Sequence, residues 1–188
     1  MSLLLPSWRC QLRKYDSKKR LISFSSFVPN SVVQAWIGCL SAQFISSSIS
    51  VKDVENATRS IFGYSGAMYL NAGTGNSTFG IVCGTGTDAV SINDYKLQSL
   101  IQSGTGTGQL QYSGVEFPNK YLVDTATALT DIRRFFTNNS GATVNIKEIG
   151  IYCNTYNNYK FCIERTLINE KLADTESLEV TYRLSKTI

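Results

Sequence analysis

The sequence predicts a mainly β protein: an antiparallel β-sandwich, Ig-like or jelly-roll-like, with one amphipathic helix and an extended basic N-terminal arm. Three observations lead there. Short runs of alternating apolar and polar residues fill the C-terminal half, helical spacing occurs in one place, and Gly, Asn, Ser and Thr punctuate the rest. With 188 residues, 43% of them hydrophobic and 17% charged, the chain can bury a substantial core.

The arm is read from charge. Residues 1–20 hold Arg9, Arg13, Lys14, Lys18, Lys19 and Arg20 against Asp16 alone, a balance of +5, whereas residues 21–188 balance at −1. This divides the chain into an arm, 1–30, and a β domain, 31–188. Clustered cations neutralise phosphates or acidic protein surfaces, although many basic runs are simply solvated tails. Trp8, Tyr15 and Leu21 interleave with these cations, and a solvated tail has no need of them. Trp8, Arg9, Arg13, Lys14, Lys18, Lys19 and Arg20 are therefore the expected partner-binding residues. The apolar run at 1–6 is too short for a signal peptide and precedes its charges, so synthesis in the cytosol is expected.

The helix comes next. Pro29-Asn30-Ser31 supplies a break and a candidate cap, and Val32, Val33, Trp36, Ile37, Leu40 and Phe44 recur at three- and four-residue spacing. The spacing predicts a helix over about 31–46.

Strands and turns follow. Ile49 and Val51 alternate with polar residues, and residues 79–83 form a compact apolar run. Nine of the 14 glycines fall between Gly73 and Gly114, marking a loop-rich stretch with short paired pieces at 94–97 and 109–112. A strand near 121–137 meets the turn Asn138-Asn-Ser-Gly141. In the next strand the apolar phase slips at Lys147-Glu148, which predicts a β-bulge with the extra residue in that strand. A polar turn at 154–160 leads into a strand at 161–168, and Leu178, Val180, Tyr182 and Leu184 alternate cleanly in the last.

Chemistry is mostly excluded. The chain has no histidine, so the commonest general base, metal ligand and triad partner is missing. Cys10, Cys39, Cys83, Cys153 and Cys162 are odd in number and contain no CxxC pair, which predicts free thiols. Cys153 and Cys162 are placed to meet across a hairpin but sit out of phase, so if both apolar sets face the core the two sulfurs point to opposite sides of the sheet. Gly84-Thr-Gly86 follows a strand but lacks the third glycine or the Lys-Ser/Thr pair of a phosphate loop, and Gly104-Thr-Gly106-Thr-Gly108 fails the same test. Asp88, Asn93 and Asp94 lack EF-hand spacing. Glu148 and Glu164 lie on adjacent expected strands, where a carboxylate pair of the glycosidase kind is one reading; with Glu148 at the bulge and Arg165 beside Glu164, an ion pair or a buried hydrogen-bonded carboxylate is the preferred one. No catalytic, cofactor or metal residues are expected, and the chain reads as a non-enzyme. Tyr112, Tyr156 and Tyr159 offer an alternative, a sugar- or receptor-binding platform.

Several of these segments together resemble tailed-bacteriophage virion structural proteins. The residues that carry the likeness are Gly80-Ile-Val-Cys-Gly-Thr-Gly-Thr-Asp88, Asp94-Tyr-Lys-Leu97, Gly108-Gln-Leu-Gln-Tyr112, Arg134-Phe-Phe-Thr-Asn-Asn-Ser-Gly141, Val144-Asn-Ile-Lys-Glu-Ile-Gly-Ile-Tyr152 and Leu178-Glu-Val-Thr-Tyr-Arg183. The likeness covers about 48–184 and leaves the arm outside. It implies a structural component of the particle present in many copies; because an arm on one small sandwich suits attachment to an existing shell, a head or head-to-tail component is expected, with a tail component as the alternative. Its expected partners are capsid, portal or tail subunits and further copies of itself, with the arm meeting DNA or an acidic protein surface. The expected location is the virion.

Overall fold

A computed structural model describes residues 7–29, 31–45, 48–63 and 67–187. The apolar run at 1–6, Asn30 of the expected cap and Ser46 at the expected helix end lie outside them. Among the described residues the chain is mainly β, with antiparallel sheets and one helix. Three strands open it: β1 (Ser7–Tyr15), β2 (Leu21–Phe24) and β3 (Val28–Pro29). Then come α1 (Gln34–Phe44), β4 (Ile49–Lys52), β5 (Thr58–Ile61), β6 (Gly80–Gly84), β7 (Gln111–Tyr112) and β8 (Leu122–Val123). Four long strands close it: β9 (Thr127–Thr137), β10 (Val144–Asn154), β11 (Lys160–Leu172) and β12 (Ser177–Thr187).

The larger sheet runs β2-β1-β12-β9-β7, with β3 also on β1 and β8 also on β9. The smaller runs β11-β10-β6, and β4 and β5 form a separate hairpin. The apolar parity of the larger sheet (Trp8 and Cys10, Val180 and Tyr182, Ile132 and Phe136) shares one core with Ile149, Ile151, Phe161 and Ile163 of the smaller. Tyr112 meets Phe136 edge-on at 4.7 Å and donates its hydroxyl to the Ile101 carbonyl at 2.6 Å, which satisfies a buried phenol.

The basic segment departs most from expectation. It is no separate arm: Ser7 to Tyr15 pair with Ser185 to Ser177 along the whole of β1, placing that strand inside the larger sheet. The cause is its own alternation. Trp8, Cys10 and Leu12 turn inward and Arg9, Gln11 and Arg13 outward, so Arg9 and Arg13 occupy the solvent face of an ordinary half-buried strand, while Lys14 falls on the inward parity at its end, opposite Leu178. Trp8 is 5% exposed and packs edge-on against Trp36 and Tyr182. The boundary at 30 therefore divides one core.

The helix is shorter than expected and turned on its axis. It starts after Val33, which makes no side-chain cap, because residues 31–33 are committed elsewhere. Val32 bridges Glu164, Val33 N–H donates to Ile163, and Arg165 N–H donates to Ser31, so the segment closes the open edge of β11. Its buried face is Ala35, Cys39 and Ala42, small residues that allow close approach, while Ile37 and Phe44 are exposed.

The expected irregularity at Lys147 is present, but the extra residue lies on the partner strand. Ile146 pairs with Glu170 and Glu148 with Leu167. β10 loses its alternation for another reason: from Glu148 to Cys153 every residue is buried, one face against the larger sheet and the other beneath the loop through Gln98.

Candidate binding face

Buried polar groups come first, since a hidden active site would have to be built from them. Glu148 is fully buried on β10. It accepts the backbone N–H groups of Gly86 (3.0 Å), Gln98 (3.0 Å) and Ser99 (2.8 Å) and the Nε of Arg165 (2.8 Å). The Gly84-Thr-Gly86 loop thus does hold an anion, and that anion is the protein's own carboxylate. A Cβ on Gly84 would stand 2.4 Å from the Ser99 carbonyl and one on Gly86 2.5 Å from Glu148, which explains both glycines. Arg165 completes its fork on Asp94 at 2.8 Å and the Asp88 carbonyl at 3.0 Å. Every group in this cluster is matched by an internal partner, so it clamps a loop to the sheet.

Glu164 lies on the opposite face of the same sheet, towards the core. Burial pushes its carboxyl up to about 8, and the Thr166 hydroxyl, donating to Oε1 at 2.5 Å, only partly opposes this. The Tyr182 phenol stands beside it without closing a well-formed hydrogen bond. Glu148 and Glu164 therefore point to opposite sides and form no carboxylate pair.

Arg134 is fully buried, and among the described residues no carboxylate pairs with it. It donates to the carbonyls of Ser113, Phe79, Ile81, Gly73 and Asn76 and lies over the Tyr112 ring at 4.7 Å. Burial lowers its guanidinium to about 10. Those five carbonyls belong to the glycine-rich stretch, which the side chain holds together from inside. All five cysteines are buried thiols outside any disulfide, and burial pushes the Cys83 thiol up to about 12.

The surface carries the remaining possibilities. Of the seven expected partner-binding residues, Trp8 belongs to the core. Arg13 reaches Glu179 at 3.4 Å and Lys14 reaches Glu176 at 2.8 Å. Arg9 is exposed on β1, and Lys18, Lys19 and Arg20 are exposed around the β1–β2 turn, where Arg20 pairs with Asp16 at 2.7 Å. Alternation had scattered one linear cluster over a core, a sheet face and a hairpin tip. Nor do the three tyrosines share a platform: Tyr112 is buried and Tyr159 lies under the Arg59 guanidinium at 4.5 Å.

Two surface features were not read from the sequence. The first is the edge strand β2, with Leu21, Ile22 and Phe24 51%, 50% and 69% exposed beside the cationic tip. An isolated apolar edge of this kind invites pairing with another chain. The signal was present in Leu21-Ile-Ser-Phe24, but only the sheet order shows that the strand is terminal.

The second is the outer face of the larger sheet. Here Arg183 holds Asp131 through two bonds of 2.7 and 2.8 Å, Arg133 holds Glu116 at 2.7 Å, and Arg13 and Tyr15 converge on Glu179. Burial would raise the Asp131 carboxyl, but the hydrogen bonds from Arg183 and Asn119 outweigh it and hold it low. Two hollows of about 440 and 230 Å³ lie on this face.

No family model, curated protein or solved structure matches this chain. Among the described residues no helix is long and apolar enough to cross a membrane.

Proposed function

We propose that the chain is a non-enzymatic structural protein of a tailed-phage particle, a head or head-to-tail component present in many copies and joined to its neighbours through the β1–β2 hairpin. The observation that carries this reading is the β2 edge: three large apolar side chains, each half exposed or more, end a sheet beside Lys18, Lys19 and Arg20. An edge strand extends a neighbour's sheet through its backbone, and the apolar side chains then gain burial. Closed symmetry lets one such contact build a ring or shell. The buried charged clusters support the non-enzymatic part, because Glu148, Arg165 and Arg134 are matched internally and hold loops in place.

The role of the basic residues changes accordingly. They flank an interface as part of a folded hairpin, where charge steers approach to an acidic capsid, portal or tail subunit. Ile22→Lys combined with Phe24→Lys tests this, since both side chains are half exposed or more and lie outside the core. The double variant should keep its melting temperature and lose incorporation into particles by about tenfold or more, the equivalent of roughly 1.4 kcal/mol. Incorporation at full occupancy would overturn the reading.

A further inference from the structure

We infer that the outer face of the larger sheet is a binding site for an acidic oligosaccharide. This goes beyond the assembly role and does not depend on it.

The site is a row of two hollows across three strands. Its two hollows occupy successive same-face positions: Gln11, Arg13 and Tyr15 on β1, residues 183 to 177 on β12, and residues 131 to 137 on β9. Six residue steps along β9 correspond to roughly 20 Å. That length suits an oligomer better than a single small molecule.

Its chemistry changes along this length. At the hairpin end the rings of Tyr15 and Phe135 lie 6.3 Å apart, and the hydroxyls of Thr137 and Ser177 are joined at 2.9 Å. Lys19 overhangs this end, held by a backbone bond to Asp16 in a left-handed turn. Aromatic faces take the C–H face of a pyranose, while hydroxyls and amines take its oxygens.

Toward the other end the charges are layered. The carboxylates of Glu179 and Asp131 have side chains only 4% exposed, whereas the guanidinium-bearing side chains of Arg13, Arg133 and Arg183 are 42%, 32% and 31% exposed. Glu116, the partner of Arg133, is 51% exposed, so a ligand meets Arg13 and Arg183 ahead of their carboxylates and meets Arg133 side by side with Glu116. Arg183 gives Nε and one amino nitrogen to Asp131, and Arg133 gives the same two to Glu116, so each keeps donors of its five for a ligand anion. Phe27 under Arg183 at 4.5 Å and Asn119 bonded to Asp131 at 2.7 Å wall this end and hold its groups in place. Because these side chains are already fixed by their neighbours on regular strands, little ordering cost remains for binding.

A saccharide fits better than a peptide. The backbone donors and acceptors of β1, β12 and β9 are used within the sheet, so an extended peptide finds no ladder on this face. Stacking rings beside hydroxyls and guanidiniums match a sugar that carries carboxylate or sulfate.

The test is calorimetric titration of the full chain with three acidic probes: oligogalacturonate, a heparin-derived oligosaccharide and oligosialic acid. A neutral cello-oligosaccharide and polyglutamate serve as controls. At least one acidic saccharide should bind saturably, at least about tenfold tighter than both controls, and Arg133→Gln and Phe135→Ala should each weaken it about tenfold or more. Should Phe135→Ala fail to fold, Arg13→Gln takes its place, its side chain being the most exposed of the three arginines. Absence of saturable binding by all three probes, equal binding of polyglutamate, or variants that bind as the parent would each overturn the inference. Particle incorporation of the Arg133→Gln protein should be unchanged, which separates this site from the β2 edge.

Discussion

Arg165 and Glu148 meet at 2.8 Å with their side chains 3% and 0% exposed, at the point where β10 runs beneath the Gly84–Gly86 loop. The contact does more than join two strands. Glu148 also collects three backbone N–H groups from the loop, and Arg165 carries the connection on to Asp94. Glu148→Gln should therefore destabilise the protein by about 3 kcal/mol or more, because it leaves a buried guanidinium short of charge. Urea denaturation measures this, and an unchanged midpoint would contradict it. Pairing Glu148→Gln with Arg165→Met should recover part of the loss, since an unmatched buried charge costs more than an absent pair.

Glu164 makes stability depend on pH in the opposite sense to a salt-bridged carboxylate. Its folded value of about 8 lies above its ordinary value of 4.5, so the folded state holds a proton that the unfolded chain releases. Its contribution is intact below about pH 4.5 and is lost as pH rises toward 8, by up to about 5 kcal/mol. Denaturation midpoints measured between pH 5 and pH 8.5 should fall with pH in the parent. In Glu164→Gln that slope should flatten; an equally steep slope in the variant would rule this group out as its source.

Arg134→Lys tests the inner staple. One ammonium cannot reach five carbonyls belonging to Ser113, Phe79, Ile81, Gly73 and Asn76, so several lose their donor. A loss of about 2–4 kcal/mol is expected. Amide exchange should rise first between residues 73 and 81, and uniform protection there would argue against the staple.

Removing residues 1–28 should abolish folding, because β1 lies between β2 and β12 and Trp8 fills the core. Trp8→Ala alone should cost about 3–5 kcal/mol. A truncated chain that kept its near-ultraviolet circular dichroism would show β1 to be dispensable.

Fold class was legible because alternation is a local property. Leu178, Val180, Tyr182 and Leu184 declare a half-buried strand without reference to any partner, and Asn138-Asn-Ser-Gly141 declares a turn. The same rule was available for β1, where Trp8, Cys10 and Leu12 alternate with Arg9, Gln11 and Arg13, but the charge imbalance masked it. The buried, hydrogen-bonded state of Glu148 was also legible from Arg165 nearby. Its loop donors were not, since Gly86, Gln98 and Ser99 are about fifty residues or more away in sequence.

Sequence alone determined that this is a mainly antiparallel β protein with a helix near residues 34–44, five cysteines outside any disulfide and a basic beginning. These follow from periodicity, turn chemistry and counting, each of which acts over a few residues. Only tertiary structure decided that the basic beginning is a strand of the larger sheet, that β2 ends that sheet, and that Arg13, Arg133 and Arg183 share one face. Strand order and register bring together residues more than a hundred positions apart, and the free energy that selects them comes from burying both sheets in a common core.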